Sequence, residues 1–231
     1  RIQAATVFSL TALAVSQAYG QSLISPNGYS GIGLIPSART LHSSEAVVDY
    51  SKALPGARAA RGHNFQVGFG LTDNFELVGK LATQNLNCNM FAAGACPPDT
   101  IRDFSASVKW RLASDWLDAQ NAALAVGATD VGGAAVRFKS YYAVGTKTID
   151  NVDFHAGVAQ AKGDLAILQG SFAGVDINPN SWSKLSLQTI GSNSWAHAAL
   201  LSPVTVGGLS ASATFSTRLN NNALSPREWF G

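Results

Sequence analysis

The sequence predicts an all-β protein: an antiparallel, up-and-down transmembrane β-barrel of about ten to twelve strands. Three observations carry that prediction. Segments of about ten residues alternate apolar and polar side chains, short Asn, Asp and Gly turns separate them, and charge is scarce. Only 13% of the 231 residues are Asp, Glu, Lys or Arg, against roughly 25% in an ordinary soluble domain. Hydrophobic residues stand at 46%, so Gly, Ser, Thr, Asn and Gln have taken the place of charge.

Three regions follow in chain order. Residues 1–20 read as a secretory signal peptide, with Arg1 as its basic start, an apolar run from Ala4 to Val15, and Ala18-Tyr19-Gly20 as the small cleavage site. That run is too short for a membrane-spanning helix, which needs about 20 apolar residues. No later window is apolar enough to be one. Residues 21–44 are Gly- and Pro-rich, poor material for a central strand, and are expected to plug or rim the barrel. Residues 45–231 form the barrel domain.

Within that domain the strands are expected around 46–53, 63–71, 74–84, 102–112, 121–130, 136–148, 152–160, 166–176, 182–190, 194–202 and 208–218. The clearest is the fourth. Phe104, Ala106, Val108, Trp110 and Leu112 fall on one face, while Asp103, Ser105, Ser107, Lys109 and Arg111 fall on the other, because successive strand side chains point to opposite sides. Phe75, Leu77 and Leu81 alternate with Glu76, Val78 and Lys80. Phe138, Ser140, Tyr142 and Val144 alternate with Arg137, Lys139, Tyr141 and Lys147. Asp73-Asn74, Asp150-Asn151, Asn178-Pro179-Asn180 and Gly191-Ser192-Asn193 supply turns. Leu112–Asn121 breaks the alternation and reads as a helical turn or a longer loop, and Leu219–Gly231 does not alternate at all.

Alternation also describes a soluble carbohydrate-binding β-sandwich, with its aliphatic faces packed together and Trp182 or Trp195 exposed to sugars. Two features favour the barrel. The polar faces lack the dense charged rows that guard soluble sheet edges. Trp110, Tyr141, Tyr142, Trp182 and Trp195 recur near strand ends, where a membrane barrel carries its aromatic girdles.

Function classes narrow next. A net charge of +2 without a basic run excludes a nucleic-acid partner. Cys88 and Cys96 are the only cysteines, with no histidine close by, and are expected to form a structural disulfide in a long loop. None of His42, His63, His155 and His197 accompanies a Gly-x-Ser-x-Gly elbow. Asp103, Asp130, Asp153 and Asp176 are acid–base candidates by residue type alone, and no cofactor motif is present. An enzyme is therefore not expected, although a lipid-modifying hydrolase built on a His and a Ser is the remaining catalytic alternative. The polar faces carry Lys80, Arg102, Lys109, Arg111, Arg137, Lys139, Lys147 and Lys184, against fewer acids. A lumen lined this way would be net basic, or the charges would pair across strands to hold the wall.

Four motifs resemble a known family. They are Gly31-Ile-Gly-Leu-Ile-Pro-Ser-Ala-Arg39, Asp103-Phe-Ser-Ala-Ser-Val-Lys109, Ala123-Leu-Ala-Val-Gly-Ala-Thr-Asp-Val-Gly-Gly133 followed by Lys139-Ser-Tyr-Tyr-Ala-Val-Gly-Thr-Lys147, and Gly170-Ser-Phe-Ala-Gly-Val-Asp176. Spread over residues 30 to 190, they resemble the YjbH-type exopolysaccharide-associated outer-membrane proteins, a group that includes the group 4 capsule barrel. The resemblance implies a non-enzymatic outer-membrane barrel that assists export or surface assembly of an exopolysaccharide. Its partners would be outer-membrane lipid, the polymer and other polysaccharide-secretion proteins. Polymer or lumen contacts are then expected at Lys80, Arg102, Asp103, Lys109, Arg111, Asp130, Arg137, Lys139, Lys147 and Lys184.

Overall fold

The computed structural model describes residues 22–52, 62–84, 86, 100, 102–133, 136–202, 211–219 and the backbone of 228–230. The signal peptide and the Cys88–Cys96 pair lie outside the described residues.

A hairpin of two short strands opens the described chain: β1 (Ile24–Ser25) pairs with β2 (Tyr29–Ser30). Twelve strands then form one sheet: β3 (Ala46–Ser51), β4 (His63–Thr72), β5 (Phe75–Thr83), β6 (Arg102–Arg111), β7 (Ala122–Gly132), β8 (Ser140–Ile149), β9 (Val152–Ala161), β10 (Gly170–Asn180), β11 (Ser183–Ile190), β12 (Asn193–Leu201), β13 (Ser212–Arg218) and β14 (Glu228–Phe230). Each pairs antiparallel with its neighbour in sequence, so the sheet is a simple meander with β3 and β14 at its edges. The one helix among the described residues, α1 (Asp115–Ala119), is a single turn in the predicted break, started by the Ser114 hydroxyl accepting from the Leu117 N–H. No described helix is long and apolar enough to cross a membrane.

Alternation dictates the two faces, and their polarity is the reverse of a soluble sheet. On one side lie Phe65, Val67, Phe69, Phe104, Trp110, Leu124, Val126, Phe154, Val158, Leu185, Leu187, Leu200 and Phe215, all exposed. On the other lie Asn64, Gln66, Glu76, Lys80, Asp103, Ser107, Lys109, Thr129, Asp130, His155, Asp176, Gln188 and His197, all buried. The aliphatic faces of a β-sandwich pack on each other; here the aliphatic face packs on no second described sheet.

What buries the polar face is the N-terminal segment 22–42. Gly28 lies against Gln66 of β4 and Ser107 of β6, and Gly33 lies against Gln188 of β11 and His197 of β12. In a flat sheet β4 and β12 would be about 38 Å apart at ~4.8 Å per strand spacing. Gly28 and Gly33 can be separated by no more than about 17 Å of chain. The sheet must therefore curl around the segment, polar face inward. Gly28 (φ 91°), Gly31 (φ 148°) and Gly33 (φ 80°) all take left-handed backbone, which lets the segment coil tightly inside the curl.

The curl has two ends. Tight turns 73–74, 150–151 and 181–182, with α1, mark one end. The connections 84–101, 133–139 and 162–169 mark the other, the long-loop end. Two predictions need correction here. The strand expected at 166–176 is β10, Gly170–Asn180; residues 162–169 form an inturned loop that buries Leu168. The terminal stretch predicted not to alternate contains β14, paired to β13.

Candidate functional site

Inside the curl, the wall holds the segment by its backbone. Lys109 Nζ lies 3.1 Å from Glu76 Oε1, and both side chains are essentially inaccessible. Glu76 also accepts from the Ser30 N–H at 2.8 Å and the Leu41 N–H at 2.9 Å. Lys109 donates to the carbonyls of Ser30 at 3.2 Å and Ser37 at 3.1 Å. Gln188 accepts from the N–H groups of Leu34 and Ile35 and donates to the Ile32 carbonyl. Buried backbone groups must find partners, and those that the short β1–β2 hairpin leaves over find them in these wall side chains.

Apolar packing completes the fit. Tyr29, Leu34, Ile35 and Ala38 form one cluster with Ala123, Tyr142, Val144, Phe172 and Trp195 of the wall. Ile24 and Leu41 form another with Val47 and Val78. The Tyr29 and Tyr142 rings meet edge to face at 5.4 Å. Burial drives the Tyr29 hydroxyl well above its ordinary range; it donates to the Leu34 carbonyl.

Toward the long-loop end sits a second charged group. Lys80 Nζ lies 4.2 Å from the centre of the Phe138 ring, with Asp103 and Asp130 as its charged neighbours. Asp130 takes left-handed backbone (φ 54°) at an irregularity in the β6–β7 pairing, and its carboxylate accepts from the Phe138 N–H at 2.8 Å. Phe138, Ala82 and Leu165 cover the group.

At the tight-turn end the segment leaves space. A cavity of about 440 Å³ lies between it and the wall. Three basic groups (Arg39, Arg111, Lys184) and three acidic ones (Asp73, Asp153, Asp176) line it, with His42, His155, Ser30 and Thr40 among their neighbours. Behind it runs a polar row. The Ala38 N–H donates to Thr146 Oγ1 at 2.8 Å, Thr146 Oγ1 lies 2.9 Å from His155 Nδ1, and His155 Nε2 lies 3.2 Å from Asp176 Oδ2. The row resembles a nucleophile, base and acid, but its hydroxyl is buried and engaged by Ala38, so it reads as a brace for the segment. His197 Nδ1 and Ser216 Oγ, 2.7 Å apart, are likewise both buried.

The family model described as exopolysaccharide biosynthesis protein YbjH, of the YjbH family, matches residues 25–189. The chain belongs to the YjbH family. That match spans the inner segment, the Glu76–Lys109 pair and most of the cavity lining. No curated protein and no solved structure matches the chain.

In this YjbH-family chain the ten residues singled out by sequence part company. Lys80, Asp103, Lys109 and Asp130 are buried inside, and Arg111 and Lys184 line the cavity. The others do not line the cavity. Arg102 is exposed, in phase with outward Phe104, and Lys147 is exposed and donates to the Gln120 carbonyl. Arg137 pairs with Asp164 in the 162–169 loop at 3.0 Å. Lys139 lies 5.7 Å from the Tyr141 ring, outside the wall. The faces of β8 run Ser140, Tyr142, Val144 inward and Tyr141, Lys147 outward, so its apolar row faces the segment rather than the outside. Tyr142 and Trp195 are buried inside for the same reason and are not girdle residues. Nor is the cavity net basic, since its three basic and three acidic groups balance. Sequence reasoning set Glu76 on an alternating row without giving it a role, and did not single out Gln188 or Thr146, although these three hold the segment. The available signal was an isolated polar residue in phase with an inward row.

Proposed function

We propose that this YjbH-family protein is a non-enzymatic outer-membrane β-barrel that assists export or surface assembly of an exopolysaccharide. The single observation carrying this is the inverted sheet: polar inside, apolar outside, curled around its own chain. An apolar outer face suits lipid, because a barrel alternates apolar-out and polar-in. Exposed aromatics sit toward both ends of that face, with Phe65, Phe104 and Tyr141 at one and Trp110, Trp116 and Trp182 at the other, as interfacial girdles would. Family membership supplies the link to exopolysaccharide.

Energetics favour surface assembly over conduction through this lumen. Leu23, Ile24, Ile32, Leu34, Ile35 and Leu41 of the segment are all buried. Each such side chain loses about 1.5–3 kcal/mol on exposure to water, so ejecting the segment would cost on the order of 10 kcal/mol even before its hydrogen bonds. The polymer is then handled at the ends of the barrel, beside a segment that stays in place. Deleting the gene tests the assignment. Surface-associated polymer should fall and return on complementation; unchanged amount and surface retention of polymer would overturn it.

A further inference from the structure

We propose that the tight-turn-end cavity is a binding site for an uncharged, hydroxyl-rich saccharide unit of one or two sugar rings. The proposal rests on the polysaccharide reading above and adds to it a place and a charge class. Size is the first support: about 440 Å³ lies within the roughly 300–1,000 Å³ of small-ligand sites. Unused hydrogen-bonding capacity is the second. Among the cavity-lining residues, Arg111 Nε, His155 Nε2 and Asp176 Oδ1 are buried without a hydrogen-bond partner. His155 lies near Asp176 but outside hydrogen-bond geometry. Buried polar groups are ordinarily satisfied, so three in one cavity point to a ligand that satisfies them.

The chemistry of the three decides what that ligand is. Arg111 Nε–H can only donate, Asp176 Oδ1 as a carboxylate can only accept, and His155 Nε2 does either according to its tautomer. A sugar hydroxyl donates and accepts at once, so the hydroxyls of a saccharide of one or two rings match the chemistry of all three. Charge decides the class. With Arg39, Arg111 and Lys184 balanced by Asp73, Asp153 and Asp176, a polyanion gains nothing net. A uronic acid would set its carboxylate among three others.

Isothermal titration of the purified full chain, in a detergent without a sugar headgroup, tests this with two probes, maltose and digalacturonate. Maltose should bind saturably and at least several-fold more tightly than digalacturonate. Asp176→Asn should weaken maltose binding about tenfold, the loss expected for a hydrogen bond to a charged group. Arg39→Met, at an exposed rim position, guards against a variant that fails to fold and should also weaken binding. Tighter binding of digalacturonate would overturn the charge class, and maltose binding absent or indifferent to both variants would overturn the site. Polymer secretion by a deletion strain is read separately: if deletion lowers surface polymer while the purified chain binds no maltose, the polysaccharide role stands and the cavity proposal falls.

Discussion

Glu76 and Lys109 face each other across neighbouring strands at 3.1 Å, and both reach the backbone of Ser30. The pair therefore fastens wall to segment as well as strand to strand. Removing one partner strands the other charge in a buried site, which costs about 3–5 kcal/mol. Glu76→Ala should lower the free energy of unfolding by that amount. Replacing both, as Glu76→Leu with Lys109→Met, should cost less than Glu76→Ala, since no buried charge is left over. Denaturant titrations followed by tryptophan fluorescence compare the two.

Gly33 holds the coil where it meets β11 and β12. Its φ is 80°, and a Cβ there would run into the His197 ring and the Gln188 amide. Gly33→Ala adds backbone strain of about 1–3 kcal/mol to that collision. Its free energy of unfolding should fall by at least this much, whereas Gly132→Ala, with open space around its Cβ, should change little.

The outer face makes a prediction that separates lipid from water. Leu187 is 58% exposed in mid-strand. On a water-facing surface Leu187→Arg would be nearly neutral; at a bilayer midplane it costs about 2–4 kcal/mol. Folding into phospholipid vesicles should show the larger penalty. Lys147→Arg, near the strand end, should show none.

Asp164 gives a pH signature. The hydrogen bond from Arg137 holds its carboxyl below the ordinary range. A depressed carboxyl contributes stability that is present above its unfolded value and lost as pH falls through the folded one. Because the pair is largely exposed, that contribution is about 0.2–1 kcal/mol. Asp164→Asn should be slightly less stable than the parent at neutral pH and equal to it in acid below the carboxylate range, read from unfolding midpoints across pH.

Much of the wall was legible from period-two alternation, because a curled sheet with one wet and one oily face writes its two sides as alternating residues. β5 and β6 have the predicted phase. β8 does not, for a physical reason: where the segment packs against the wall, the inward row is apolar too, and Tyr142 and Val144 serve Tyr29 and Leu34 rather than lipid. Arg137, Lys139 and Lys147 flank that apolar row and lie away from the cavity, although alternation had set them on the polar side of their strand. The cavity was illegible because it is assembled from residues as distant as Arg39 and Lys184, which only the curl of the sheet brings together.

The central claim is that the curled sheet is a closed barrel in the outer membrane, and gel mobility of the outer-membrane fraction with and without boiling tests it most directly. A closed barrel resists SDS until heated, so the unboiled protein should run at a shifted position and convert on boiling. A chain recovered in the soluble fraction, with a single mobility in both lanes, would contradict the account.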